Sequence, residues 1–563
     1  MKIISNYIAL YIILTTVFSS VLFTSCTNKS TNVIAKMDTE EKSLSENQLL
    51  RKSQSHDNPR MRYKVLSSNF KSNKNKWAQL TSQLGGYSER EYQSAYSLIY
   101  NQNIPTLQQN ISNGQLTYET LAKWYLYRIY KYESNNTTTL NSIISIMPDV
   151  IAQAKEKDNQ KSSSNHPIYG MPILLKDNIN AMGTPTTAGA VILSNNMTGD
   201  ATIVKKLKSA GAIILGKTNL SEWAYYFCSG CPLGYSAIGG QTLNPYGRMI
   251  FETGGSSSAS GTSVASNYAA GAIGTETAGS ILSPSSQNSI IGLKPTVGVL
   301  SRTGIIPISS TLDTPGPMTR SVVDNSILLS AMYGSDPLDQ TTTISSRRNN
   351  FLEKATTPID SKEIILAANK NYIETNSIYA TTVENLKEQG VKIVEFTPKE
   401  VNLSGFTTVL DYDMKNDLIK YFSIYGGNPQ FPASINDIIQ YNSIDTILRA
   451  PYGQKLFERS AENQTTEYEI EEIKQRLETE TRDYFDTIFQ KAEIDAILSI
   501  NNYEAAEAAM AKYPCLALPM GYTKQGEPKS MTLIGKRFSE ASLLQIGYWF
   551  EKKIFSRRSP ENY

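Results

Sequence analysis

The chain has 563 residues, 40% of them apolar, enough for one large α/β domain or about two to four average ones. Its formal net charge is +2, from 54 basic and 52 acidic residues, so it lacks the basic excess that marks a nucleic-acid partner. Only two histidines are present, His56 and His166, both in polar, loop-like surroundings. That scarcity argues against a histidine-based hydrolase and against a zinc site, which needs three or four His, Cys or carboxylate ligands.

At the N-terminus, Lys2 precedes an apolar run from Ile3 to Phe23, followed by Thr24, Ser25 and Cys26. This is the layout of a secretory signal that ends before a lipidated cysteine, as at a bacterial lipoprotein cleavage site. The same run approaches the ~20 residues needed to span a bilayer, so an uncleaved anchor is the alternative. Either reading exports the chain to the periplasm or cell envelope and tethers it to a membrane, with Cys26 as the lipidation site in the first. Residues 1–26 are therefore assigned to a signal peptide or lipoprotein anchor. From Thr27 to about Gly85 the sequence is rich in Ser, Asn, Lys, Gln and Glu, and 27–85 is read as a polar spacer.

Residues 86–563 form the predicted catalytic body. Helical periodicity runs through Leu116 to Glu133, where Leu116, Leu121, Tyr125 and Ile129 share a face and Thr117 is the predicted N-cap. Beyond Ile168, the β-prone runs MPILLK and AIILGK flank the helical ATIVKKLKSAG, an alternation that argues for a sheet covered by helices. EIILAAN, VENLKEQG and VKIVEF read as a βαβ unit. Residues 405–490 read mostly as helix and could wall a substrate site. DAILSI, CLALPM and SMTLIG return to strand, and a helix from Ser539 to Lys552 follows. Late strands as apolar as the early ones predict one interwoven domain.

Four cysteines remain, Cys26, Cys228, Cys231 and Cys515. Cys228 and Cys231 form a CSGC unit, read as a structural pair or local disulfide, because a lone CxxC without a second pair is a weak metal or redox signal.

The compositional anomaly is Glu252 to Ser286, ETGGSSSASGTSVASNYAAGAIGTETAGSILSPSS. A Gly/Ser stretch is ordinarily a flexible linker. Here Val264, Tyr268, Ala269, Ala270 and Ile273 thread through it as in a buried helix of small residues, and clustered glycines mark tight turns or close approach to a ligand. No GxxxxGK[ST] phosphate loop is present. A serine hydroxyl becomes a nucleophile only when a base takes its proton. With histidine scarce, a lysine whose pKa is lowered by burial is the natural candidate. Lys176 ends the apolar strand MPILLK, which would carry its side chain inward; a snorkelling lysine at a strand end is the competing reading.

Taken together, GMPILLKDNI, DATIVKKLKSAGAIILGKTNLSE, GGSSSASG, GTETAGSI, GLKPTVGVLSRTGIIPIS and TLDTPGPMTRSV resemble the amidase signature family over about Leu116 to Lys552. SEWAYY, GGQTLNPYG, GTET and PYGQKLFE look most like its peptide-amidase branch. The resemblance implies a single large α/β domain with a central mixed β-sheet covered by helices on both faces. It implies a Ser–Ser–Lys triad with Lys176 as base, Ser256 as a relay serine that adopts a cis peptide, and Ser280 as nucleophile. The oxyanion hole would come from the amides of Thr277, Ala278, Gly279 and Ser280. No metal or organic cofactor is implied, and the partner is a small-molecule or peptide amide.

The sequence departs from the family pattern in four places. Ala278 replaces a common Gly or Asp, Leu282 stands where many members have Arg, and Ala259 replaces a glycine. SINN, Ser499 to Asn502, replaces a frequent Pro-Thr turn. These put the substrate in doubt, leaving C-terminal peptide amides beside fatty-acid or other small acyl amides. An A-subunit-like amidotransferase component and a non-catalytic envelope binding lipoprotein are the readings outside hydrolysis.

Overall fold

The structure, a computed structural model, describes residues 44–70, 74–160, 166–342, 350–426, 431–554 and 557–563. The apolar run Ile3 to Phe23 and Cys26 lie outside the described residues.

The strands are, in chain order, β1 (Ile143–Ile146), β2 (Pro172–Lys176), β3 (Ile213–Thr218), β4 (Tyr235–Ser236), β5 (Gly240–Gln241), β6 (Gly271–Glu276), β7 (Ile291–Lys294) and β8 (Thr314–Thr319). They continue with β9 (Ile365–Asn369), β10 (Lys392–Phe396), β11 (Ala496–Ile500), β12 (Cys515–Tyr522) and β13 (Pro528–Ile534). Eleven of them form one sheet in the order β1-β3-β2-β6-β8-β7-β12-β13-β11-β9-β10. The sheet is mixed. β2 runs parallel to β3 and β6, and β9 parallel to β10 and β11. β8 lies antiparallel to β6 and β7, and β12 antiparallel to β7 and β13. Because the late strands extend the early ones edge to edge, the body is one domain, as the burial pattern of those segments predicts.

Helices pack on both faces. Successive strand residues point to opposite sides of a sheet. A Cβ placed on Gly271 of β6 would meet Leu328, in the helix Val322–Met332, at 2.8 Å. One placed on Gly274, on the other face, would meet Ser257 Oγ at 2.8 Å, beside the helix Ser258–Ala265. Every residue of Ser258–Ala265 is buried, so this Gly/Ser-rich stretch is core and not linker.

The expected elements fall close to their sequence bounds. The first long helix is Tyr118–Glu133; it begins after Leu116 because Thr117 caps it, as predicted, by accepting from the Thr120 amide. Leu116, Leu121, Tyr125 and Ile129 are all buried. The βαβ unit is β9, the helix Ser377–Glu388 and β10, in parallel register. Residues 405–490 carry the long helices Phe406–Tyr425 and Glu467–Phe489.

One expectation is corrected. From residue 44 onward the segment read as a polar spacer is part of the folded body. The helix Glu46–Ser53 buries Leu49, and Met61, Tyr63 and Leu66 are buried in the same small cluster. The Gln241 amide of β5 donates to Leu66 O at 2.8 Å. The helix Lys74–Leu84 places Leu80 and Leu84 in the main core. Average composition hid this: a few apolar residues four apart suffice to seat an otherwise polar helix.

A buried ion pair ties the first strands together. Lys217 Nζ of β3 lies 3.0 Å from Asp177 Oδ1, and both side chains are wholly inaccessible. Thr186 Oγ1 accepts from Lys217 at 3.1 Å, and the Thr187 amide donates to Asp177 Oδ2 at 3.2 Å. Removing one partner of such a pair strands the other charge in the interior. Lys217→Met is therefore expected to lose about 3–5 kcal/mol of stability in a denaturant titration. A loss no larger than that of an exposed Lys→Met control would show that Asp177 needs no counter-charge.

Candidate active site

β2 and β6 run parallel, so their C-terminal ends lie together. Lys176 is the last residue of β2, wholly buried. Its Nζ lies 2.7 Å from Ser256 Oγ, 3.1 Å from Thr275 O and 2.9 Å from Thr275 Oγ1 of β6. Among the described residues it has no carboxylate in contact. Burial drives its pKa from the usual lysine range down to about 7, opposed by the more distant charges of Asp313 and Glu276.

The hydrogen-bond inventory is compatible with the direction that a base needs. A neutral amine has two N–H donors and one lone pair. Thr275 O can only accept, and Thr275 Oγ1, itself 3.0 Å from Asn178 Nδ2, can take the second N–H. With both N–H groups so placed, the neutral amine's lone pair faces the Ser256 hydroxyl, which can donate to it; the charged amine donates to Ser256 Oγ instead. The former is the sense required of a base that draws a proton from serine.

Ser256 is reached through a cis Gly255–Ser256 peptide, as the family resemblance implies. Its carbonyl accepts from the Ser221 amide at 3.1 Å. The glycines before it have no room for side chains: a Cβ on Gly254 would stand 2.7 Å from the Ser283–Pro284 backbone, and one on Gly255 2.6 Å from Ser221 Oγ. Ser257 Oγ donates to Thr275 O at 3.0 Å and accepts from the Thr275 amide at 3.2 Å, locking this loop to β6.

Ser280 follows β6 through the turn Thr277–Gly279, where Gly279 adopts φ +91°, a region open to glycine. Ser280 O accepts from the Ser257 amide at 3.1 Å, so the two serine segments are joined through the backbone. Their hydroxyls are not: among the described residues Ser280 Oγ makes no hydrogen bond, and the contact with Ser256 that a relay needs is not formed. Catalytic contacts of this kind often tighten only when substrate is bound. The amides of Ala278, Gly279 and Ser280 are likewise without acceptors among the described residues. The next two amides, of Ile281 and Leu282, donate to Glu276 Oε2 at 2.6 and 2.9 Å and pin the turn from behind.

Sequence reasoning gave no role to several residues that hold the site. Thr275 and Asn178 orient the amine; both lie inside quoted motifs, but nothing in the spacing marks their contacts. Asp313 is half-buried and accepts from Thr277 Oγ1 at 2.6 Å, while its other oxygen takes the amides of Ile308 and Ser309 at 2.8 and 2.9 Å. Burial pushes its carboxyl up to about 6, against those donors. The same loop is gripped from outside by the helix Phe406–Tyr425: Ser309 Oγ donates to Asp413 at 2.5 Å and the Ser310 amide to Asp417 at 2.7 Å.

A cavity of about 500 Å³ opens beside this turn, reached by Thr275, Thr277, Asn178 and Asp313 on its inner side. Of the sequence departures, Ala278 packs partly buried against the cluster behind the cavity, and Leu282 is buried in a separate core cluster. Asn502 of SINN sits against the nucleophile turn, its Nδ2 3.0 Å from where a Cβ on Gly279 would lie. The histidines stand elsewhere: His56 contacts Ile250 O and His166 contacts Ser330 Oγ. Cys228 and Cys231 form a disulfide, and Cys515 is buried and free.

A mixed sheet with an unpaired buried lysine and two serine loops at its parallel strand ends is the architecture of an amide hydrolase. The Amidase family model matches residues 123–506, and the chain belongs to that family. A probable amidase of Arabidopsis thaliana is 31% identical over 501 residues, covering 86% of this chain and 95% of the relative. Among solved structures, an amidase family protein from Bacillus anthracis is 34% identical with a TM-score of 0.83, over 88% of this chain and 99% of its own. The peptide amidase of Stenotrophomonas maltophilia is 32% identical with a TM-score of 0.76, over 82% and 99%. The protein is an amidase.

The Thr277–Asp313 contact should act as a unit. Thr277→Val and Asp313→Asn are each expected to lower kcat about tenfold, with a coupling of about 1–2 kcal/mol in the double variant. Strictly additive losses would separate Asp313 from the turn.

Proposed function

We propose that this amidase cleaves a carboxamide C–N bond through an acyl-enzyme on Ser280, with Ser256 as relay and Lys176 as base. The observation that carries the reading is the 2.7 Å contact between a wholly buried, unpaired Lys176 Nζ and Ser256 Oγ. As Ser280 attacks the carbonyl carbon, its proton passes to Ser256 and that of Ser256 to the Lys176 lone pair. The carbonyl oxygen becomes an oxyanion that the amides of the 277–280 turn can receive. The proton then returns along the same path to the leaving amine, the C–N bond breaks, and water hydrolyses the ester by the same relay. Pairing of Ser256 with Ser280 is a contact that substrate has to complete.

For the finer substrate we propose C-terminal amides of peptides. Support comes from the peptide-amidase motifs of the sequence, the likeness to the S. maltophilia peptide amidase, and a cavity large enough for an amino-acyl group. The N-terminal run and Cys26 support export and membrane tethering, which would place this activity in the cell envelope.

Ammonia release from primary amides tests the triad. Ser280→Ala and Lys176→Ala are each expected to lower turnover by about a thousandfold or more with the fold retained. The pH profile follows from the lysine: the amine must be neutral to accept, so wild-type turnover should fall about tenfold per pH unit below about 7 and level off above it. Undiminished activity in purified Ser280→Ala, or a profile flat from pH 5 to 8, would refute the assignment.

A further inference from the structure

The charge of the cavity beside the nucleophile turn points to a substrate class, and this step rests on the amidase reading. We infer that the acyl side of the substrate carries no carboxylate: the site takes carboxamides whose acyl group is apolar or aromatic, neutral or cationic, and rejects amides of the asparagine or diacid-monoamide type. Three independent observations lead there.

The first is the wall. Ile305, Ile306, Ile308, Tyr421, Ile424 and Tyr425 give the cavity a predominantly apolar surface. The second is that its cations are already committed. Arg302 makes a two-pronged contact with Asp339, Nη2 to Oδ1 at 2.7 Å and Nε to Oδ2 at 2.9 Å, and its Nη1 donates to Ser310 O. Lys420 Nζ lies 3.2 Å from Asp417 Oδ1. Lys420 is largely exposed, so that pair is weak, yet the balance does not depend on it. Arg302 and Lys420 face three aspartates, Asp313, Asp339 and Asp417, and the lining is negative even with both cations counted. The third is Leu282, two residues beyond Ser280. It is 1% exposed, buried in a core cluster with Phe485 and Ala508, so no guanidinium stands beside the nucleophile.

A carboxylate entering this space would give up its hydration without gaining an unpaired donor cation. It would also meet the field of aspartates whose charges are only partly offset. An ammonium or an uncharged ring meets neither obstacle. The effect on rate is a specificity term, because the carboxamide end and the triad are the same for every substrate in the comparison.

The test is kcat/KM for three amides of one shape: 3-phenylpropionamide, its 4-carboxyphenyl analogue and its 4-(aminomethyl)phenyl analogue. The neutral and ammonium compounds are expected within about fivefold of each other, and the carboxylate at least about thirtyfold lower at low salt. Raising salt to about 0.5 M should narrow that gap severalfold, since part of the field crosses solvent. Asp417→Asn, which keeps an oxygen for the Ser310 amide but removes one charge, should narrow it as well. Hydrolysis of the carboxylate compound within threefold of the neutral one overturns the inference, and the wild-type series decides even if the variant does not fold. Hydrolysis of none of the three, together with no fluorophosphonate labelling of Ser280, overturns the amidase reading itself and this inference with it.

Discussion

Everything at this site depends on keeping one amine buried and uncharged. The chain contains its own control. Lys176 ends β2 and Lys217 is the last residue but one of the neighbouring parallel strand β3; both are wholly buried, and they differ in what they face. Lys217 meets Asp177 at 3.0 Å and is held as half of an ion pair. Lys176 meets two hydroxyls and a carbonyl, which satisfy its hydrogens without supplying negative charge. Asp177, the turn residue after Lys176, is taken up by Lys217 and the Thr187 amide and makes no ion pair with Lys176 among the described residues.

Two carboxyl groups nevertheless lie close enough to oppose the depression of the Lys176 pKa, Glu276 and Asp313. The structure confines their influence by giving them local work. Glu276 takes the Ile281 and Leu282 amides, and Asp313 takes Thr277 and the amides of Ile308 and Ser309. Each carboxyl thereby shapes the nucleophile turn, while burial outweighs the pull of both on the Lys176 proton. The same economy explains why small residues crowd this region. Ser257, Gly254 and Gly255 bring two backbone segments and β6 within hydrogen-bond distance, which bulkier side chains would prevent.

How far the sequence announced this follows from what kind of signal each feature leaves. β2, β3 and the late strands are short apolar runs whose period and length are local properties, and they read correctly; β6 did not, because Ile273 reads with Val264 to Ala270 as a buried helix of small residues, whereas the helix ends at Ala265 and Gly271–Glu276 is strand. Lys176, Ser256 and Ser280 were legible only through motif resemblance, since a strand-end lysine or a serine in a Gly/Ser run carries no local mark of its partners. Thr275 and Asp313 were silent because their roles are set by contacts across the sheet: Asp313 is 36 positions from Thr277. The segment from residue 44 misled for the opposite reason. Its average polarity is real, and its attachment rests on a handful of side chains such as Leu49, Tyr63 and Leu80.

The fold divides chemistry from selection. The sheet supplies Lys176 and Thr275 from paired strands, and the nucleophile turn follows β6 directly. The helix Phe406–Tyr425 supplies Asp413, Asp417, Tyr421 and Tyr425, on a segment whose pattern falls outside the family motifs. The two meet at one loop, residues 305–311, which is gripped by Asp313 on the catalytic side and by Asp413 and Asp417 on the other. A substitution on that helix can therefore change what the cavity admits through its own side chains. It can also reach the turn through the shared loop, because the aspartates on either side hold adjacent amides of one backbone. Selectivity in this protein is free to vary on the helix, but only within the limits that a fixed carboxylate grip on residues 308 to 310 allows.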